Sequence, residues 1–105
     1  MTDKNMVVYT TFEDFYPFYL KEHSNRTNRR LHFVGTTLAL LSIVYFFLTK
    51  KYHLLFVPLI FGYGFAWVGH FFFQKNKPAT FKYPWFSLRG DFRMYQSIWS
   101  GKIKF

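Results

Sequence analysis

Two uncharged stretches dominate the alternation of apolar and polar positions along the chain. Residues 33–48 read FVGTTLALLSIVYFFL and end at Lys50 and Lys51; residues 52–73 read YHLLFVPLIFGYGFAWVGHFFF and end before Gln74 and Lys75. A hydrocarbon core of about 30 Å takes about 20 helical residues at a rise of about 1.5 Å each. The second stretch meets this length. The first, extended back over Leu31 and His32, reaches about 18 residues, which a thin bilayer or snorkelling flanks accommodate. The pattern predicts a transmembrane helical hairpin, about 31–48 and 52–73, that turns at Lys50 and Lys51. The plainer alternative buries both helices in a soluble core, but too little polar chain remains to cover them.

The flanks have patterns of their own. Residues 12–20 (FEDFYPFYL) are aromatic, with Glu13 and Asp14 early, and predict an interfacial segment lying along the membrane with Pro17 near a helix start. It gives way to the polar stretch 23–30. Residues 76–85 (NKPATFKYPW) are expected to be extended or turned, because Pro78 and Pro84 both disfavour helix in the residues before them. A last amphipathic stretch, roughly 90–100, sets Phe92, Tyr95, Ile98 and Trp99 at helical spacing, with Gly101 as its stop. The first apolar run begins only at residue 33 and no small-residue cleavage site follows it, so no cleaved signal peptide is expected. The expected fold is therefore all-α, a single membrane domain over 1–105: an interfacial segment to residue 30, the hairpin over 31–73, and a tail over 74–105.

Charge sets the expected orientation. Five basic residues precede the first run (Lys4, Lys21, Arg26, Arg29, Arg30), two lie at the turn and seven follow the second run. By the positive-inside rule both termini face the cytoplasm. The net charge of +9 then reads as attraction to anionic membrane lipids. Nucleic-acid binding is the competing reading of a basic, aromatic chain. It is set aside because the aromatics lie inside the uncharged runs instead of alternating with Lys and Arg. With no cysteine among the 105 residues, thiolate catalysis, disulfides and zinc ribbons are excluded.

Chemistry is left to the histidines. No Ser-His-Asp set or Gly-rich phosphate loop is present. In a hairpin His32 opens the first run, His70 nearly closes the second, and His23 precedes both on the same side. His53 lies at the far turn, 17 residues or about 25 Å of helix from His70, and cannot join them. His32, Gly35, Thr36 and Ala39 share one helical face, and Gly62, Ala66 and His70 another. Small residues let membrane helices approach closely, so both histidines are expected at the end of a close-packed seam. Gly62, Gly64 and Gly69 could equally support homo-oligomerisation or pack within the hairpin. Either His32 or His70 alone reads as an interface residue bonding phosphates or carbonyls. Three ionisable residues converging at membrane depth read as a site. Imidazoles without thiolates suit Fe(II), Zn or Cu, and a haem held between two histidines is a further option. Glu22 and Asp91 are the candidate carboxylate ligands. Asp91 reads equally as an ion-pair partner of Arg89 or Arg93, and Glu22 as a solvated surface group.

Three strings, FYPFYLKEHSNRTNRRLHFVGT, GYGFAWVGHFFFQKN and KPATFKYPWFSLRGDFRM, together resemble the family of small membrane proteins that includes the fungal 2-hydroxy fatty acid dioxygenase of fatty-acid α-oxidation. The resemblance runs from about residue 12 to 94. It implies a non-haem, Fe(II)-dependent dioxygenase that converts a 2-hydroxy fatty acid and O2 to a fatty acid one carbon shorter without 2-oxoglutarate. The family's histidines map onto His23, His32 and His70 as catalytic iron ligands, the same three that the topology selects. It implies an endoplasmic-reticulum membrane in a eukaryote or the inner membrane in a bacterium. Arg29, Arg30, Lys75 or Lys77 would hold the substrate carboxylate, and Asn76 or Thr80 would bond the 2-hydroxyl. A non-catalytic, lipid-binding membrane protein is the alternative from another class.

Overall fold

A computed structural model describes residues 8–105; Lys4, counted above for orientation, lies outside the described residues. The described residues form four α-helices and no strand: α1 (Phe12–Lys21), α2 (Arg26–Leu48), α3 (Val57–Val68) and α4 (Pro84–Trp99). The chain continues from α3 through a π-helical segment, Gly69–Gln74, and single 3-10 turns occupy Tyr52–Leu54 and Ala79–Phe81. The molecule is elongated, with extents of 54 × 28 × 26 Å.

Helix α2 begins earlier than the uncharged run. Asn25 caps it by accepting a hydrogen bond from the Asn28 N–H at 3.0 Å, so Arg26 to Arg30 form its first turn instead of a polar connection. The helix is thus 23 residues long, and the shortness inferred from the uncharged run disappears. Lys50 ends the hairpin's first arm with φ 57°, the left-handed conformation that commonly closes helices. The second arm does not start as one helix at residue 52. Pro58 lacks an N–H and sits at the start of α3, where that loss costs nothing, and the residues before it make the separate turn Tyr52–Leu54.

Two stretches, Arg26–Leu48 and Tyr52–Gln74, are long and apolar enough to cross a membrane, with 11% and 22% of their apolar windows buried. Those low shares argue against the soluble-core alternative, since a core helix would be mostly covered. Leu41, Val44, Phe47, Leu59, Ile60 and Phe72 are all exposed. The buried apolar cluster lies outside the hairpin, where Phe12, Phe15 and Tyr19 of α1 meet Met94 and Ile98 of α4, with Ala79. On α1 these positions recur at three and four residues, the period of one helix face.

Helix α4 starts at Pro84, earlier than the stretch at 90–100, because a proline that disfavours helix before it is well suited to a helix's first turn. Its buried face is Ser87, Gly90, Met94 and Ile98. Of the face read from spacing, Phe92 and Trp99 are exposed. Tyr95 and Trp99 instead lean on Phe33 of α2, with ring centroids 4.8 and 5.4 Å away, and the Tyr95 hydroxyl bonds Thr37 Oγ1 at 2.8 Å. The helix therefore contacts two neighbours and has two working faces.

Close approach occurs at three glycines. A Cβ on Gly35 would lie 2.7 Å from Phe65 Cβ, one on Gly69 2.1 Å from Asn28 Oδ1, and one on Gly90 2.8 Å from the Tyr19 ring. Gly62 and Gly64 have nothing within 4 Å, so the expected tight seam through Gly62 is instead open space, and Gly69 packs within the hairpin. The prediction is that Gly90→Ala lowers the thermal unfolding midpoint in detergent, at a cost of about 1–3 kcal/mol. Gly64→Ala should be neutral or stabilising, because alanine is the better helix former. Equal midpoints for the two variants in circular-dichroism melts would refute the tight α1–α4 contact.

Candidate metal centre

The three ends that meet are the C-terminus of α1, the second turn of α2 and the π-helical segment. They are fastened by Gln74. Its Oε1 accepts from the Asn25 N–H at 2.7 Å and Asn28 Nδ2 at 3.3 Å, while its Nε2 donates to Ser24 Oγ at 2.8 Å. A π-helical turn is wider than an α turn and often occurs at functional sites. This one carries His70. Lys75 follows with φ 63° and turns the chain back, so that the side chain of Asn76 reaches His70.

Each imidazole is oriented by its Nδ1. His23 Nδ1 donates to the Tyr19 carbonyl at 2.6 Å, His32 Nδ1 to the Asn28 carbonyl at 2.9 Å, and His70 Nδ1 to Asn76 Oδ1 at 2.6 Å. Asn76 Nδ2 in turn donates to the Glu22 carbonyl at 3.1 Å, which fixes the orientation of that amide. Carbonyl oxygens only accept, so each ring carries its proton on Nδ1 and presents a bare Nε2 lone pair. Those lone pairs converge. His23 Nε2 lies 3.1 Å from His32 Nε2 and 3.0 Å from His70 Nε2, and the three rings meet edge to face at 81–86°.

Such a set fits a cation. Two nitrogens bound side by side to one first-row metal at bonds of about 2.1 Å lie about 3 Å apart. The donor atoms of His23, His32 and His70 all lie within 4.8 Å of one another and all three residues are buried. A cavity of about 10 Å³ adjoins them, lined also by Tyr19, Tyr63, Trp67, Thr80, Ser87 and Asp91, which is room for one body of atomic size. Burial, followed by the neighbouring His32 and His70, holds the His23 imidazole well below its usual titration range. It is therefore neutral at pH 7, the form a metal needs. His23 also stacks on Tyr19 at 4.0 Å.

A second, apolar cavity of about 140 Å³ lies between α2 and α3 and shares His32, Tyr63, Ala66 and Asp91 with the first. Thr36, Ala39 and Gly62, read above as parts of a packed seam, line this cavity instead.

The other candidate residues are distributed as follows. His53 is exposed in the turn at the opposite end of the hairpin. Neither Glu22 nor Asp91 belongs to the converging set. Asp91 accepts a hydrogen bond from the Tyr19 hydroxyl, and Arg89 and Arg93 stack on Phe12 and Tyr16 instead of pairing with it. Burial pushes the Asp91 carboxyl up to about 7 against the opposing Tyr19 hydrogen bond, and burial together with Asp91 raises the Tyr19 hydroxyl. Arg29 bonds the carbonyls of His23, Ser24 and Lys104, and Arg30 bonds and stacks on Phe105. Both arginines thus fasten the tail. Asn76 orients His70, and Thr80 lines the small cavity. Tyr19, Asn28 and Ser87 are site residues that sequence reasoning missed. The first two stand four residues before His23 and His32, the offset at which a helical carbonyl reaches an imidazole.

Against known proteins, the family model described as 2-hydroxy-palmitic acid dioxygenase Mpo1-like matches residues 9–103, a span that takes in all three histidines and the whole of α4. No curated protein and no solved structure matches the chain. On that match over nearly its whole length, the chain belongs to the 2-hydroxy-palmitic acid dioxygenase Mpo1-like family.

Proposed function

We propose that the protein is an integral-membrane, Fe(II)-dependent dioxygenase that converts a 2-hydroxy fatty acid and O2 to a fatty acid one carbon shorter, with His23, His32 and His70 as its iron ligands. The observation that carries this reading is the convergence of three bare Nε2 atoms in a buried cavity that shares a wall with an apolar one. The family's description supports the substrate class. The overall change balances without 2-oxoglutarate or another reductant: R–CHOH–COOH and O2 give R–COOH, CO2 and water. An iron held by the three histidines would supply open ligand positions for O2 and the substrate oxygens and relay electrons between them, all four electrons that reduce O2 coming from the 2-hydroxy acid.

The chain's own residues prepare the rest. The Tyr19 and Asn28 carbonyls and Asn76 Oδ1 hold the rings in one tautomer and raise their basicity as ligands. Tyr63 and Trp67 line the small cavity. Ala39, Ile43, Leu59 and Gly62 line the space for the acyl chain. A cavity near 150 Å³ takes a benzene-sized guest, so about 140 Å³ receives on the order of six carbons, and the remainder of the chain lies in lipid. The histidine end of the hairpin carries most of the basic residues, and the other end only Lys50 and Lys51. That asymmetry supports both termini and the iron site on the cytoplasmic side, in the endoplasmic reticulum of a eukaryote or the inner membrane of a bacterium.

Anaerobic Fe(II) titration of detergent-purified protein is expected to give about one iron per chain for wild type and His53→Ala and almost none for His23→Ala, His32→Ala or His70→Ala. Added O2 and 2-hydroxypalmitate should then yield pentadecanoic acid by mass spectrometry only from the first two. Equal metal content and no product in any of them would favour the non-catalytic, lipid-binding reading. Asn76→Ala should weaken iron affinity about 10- to 100-fold while leaving the helical spectrum unchanged; unchanged affinity would remove Asn76 from its orienting role. Gly62→Leu, which adds bulk where nothing lies within 4 Å, should shift the preferred substrate toward shorter 2-hydroxy acids. A chain-length profile identical to wild type would show that the acyl chain lies elsewhere.

A further inference from the structure

Ser87 is 1% exposed and its Oγ has no hydrogen-bond partner. Helical hydroxyls ordinarily find one by bonding back to the preceding turn, and Thr37, Ser42, Thr49 and Ser97 do so here at 2.8 Å. Ser87 does not, although it sits in the middle of the first half of α4 with the Tyr83 carbonyl one turn behind. An orphaned buried hydroxyl is costly and rare enough in native structures to call for a reason. Its location supplies one, because Ser87 lines the small cavity that adjoins the three imidazoles.

The surroundings define what fits. Asp91 stands four residues later on the same helical face and lines both cavities. With the acid's chain in the apolar cavity, only its leading polar atoms enter the small one, through the wall of His32, Tyr63, Ala66 and Asp91 that the two cavities share. Ser87 lines the small cavity and not the apolar one, so the part of the acid within its reach is the carboxyl end with its 2-position. A plain methylene there leaves the Ser87 hydroxyl unpaired, whereas a hydroxyl on that carbon pairs with it. Sites built to bond a substrate hydroxyl reject analogues that lack it strongly, because their own polar group is left unmet.

We propose that Ser87 is the specificity-determining residue that recognises the substrate's 2-hydroxyl group, with its Oγ hydrogen-bonded to that oxygen. This rests on the fatty-acid reading above and adds to it the residue that separates a 2-hydroxy acid from an unsubstituted one. The test uses full-length protein in detergent, loaded with Zn(II) so that no turnover occurs. Displacement of the fluorescent fatty acid cis-parinaric acid by 2-hydroxypalmitate and by palmitate measures both affinities.

Wild type is expected to prefer 2-hydroxypalmitate by at least about tenfold, and Ser87→Ala to bring that ratio close to one with palmitate affinity and zinc content unchanged. An unchanged ratio in Ser87→Ala overturns the proposal and leaves Ser87 with a buried water only. Equal weakening of both acids also overturns it, since the contact would then be to the carboxylate. Loss of the preference in Thr80→Val but not in Ser87→Ala assigns the hydroxyl to Thr80 and overturns it as well. Turnover of 2-hydroxypalmitate by the iron-loaded wild type is measured beside these. Its absence counts against the dioxygenase reading, and its presence with an unchanged binding ratio counts against Ser87 alone.

Discussion

Three imidazole lone pairs, with that of His23 about 3 Å from each of the other two, repel unless something positive lies between them, and a set of hydrogen bonds from three parts of the fold holds them there. The proton of each ring is held on Nδ1 by an oxygen that can only accept, namely the carbonyls of Tyr19 and Asn28 and the amide oxygen of Asn76. Burial removes the water that would otherwise screen the three nitrogens. The arrangement fits a cation, and any change that rotates a ring by altering its Nδ1 partner would act on a metal held there without touching the three imidazoles.

Each of those acceptors depends on a different piece of the fold. The Tyr19 carbonyl is in place because α1 packs on α4 through Phe15, Tyr19 and Met94, with Gly90 leaving room for the Tyr19 ring. The Asn28 carbonyl is in place because Asn25 caps α2 ahead of the uncharged run, so that His32 falls on a regular helical turn. Asn76 reaches His70 because the π-helical segment and the left-handed Lys75 reverse the chain directly after the second arm. The site is thus carried by the flanking helices as much as by the hairpin. The buried apolar cluster accordingly joins α1 to α4 and does not lie between the two long arms, whose outer faces are exposed and apolar.

The hairpin contributes space instead of tight packing. Gly35 and Gly69 bring the arms together at Phe61, Phe65 and Asn28, while Ala39, Gly62 and Ala66 leave a cavity in between. Small side chains along a helix face permit either outcome. Which of them closes a contact and which opens a void depends on the rotation of each arm, and rotation is set by contacts distant in sequence, such as the Gln74 clasp on Asn25 and Asn28.

The amino-acid sequence by itself determined the two apolar arms, the turn at Lys50 and Lys51, and the grouping of His23, His32 and His70 apart from His53. Those follow from local quantities, the length of uncharged runs and the rise per helical residue. The resemblance to the family was legible for the same reason, since it rests on contiguous strings. Only the tertiary structure decided which face of α4 is buried, that Arg29 and Arg30 fasten the tail, that Asp91 bonds Tyr19 instead of joining the histidines, and that Ser87 is left without a partner. These depend on pairings between residues tens of positions apart, such as Tyr19 with Asp91 and Asn25 with Gln74. Helical periodicity shows which residues share a face, but not which neighbour that face will meet.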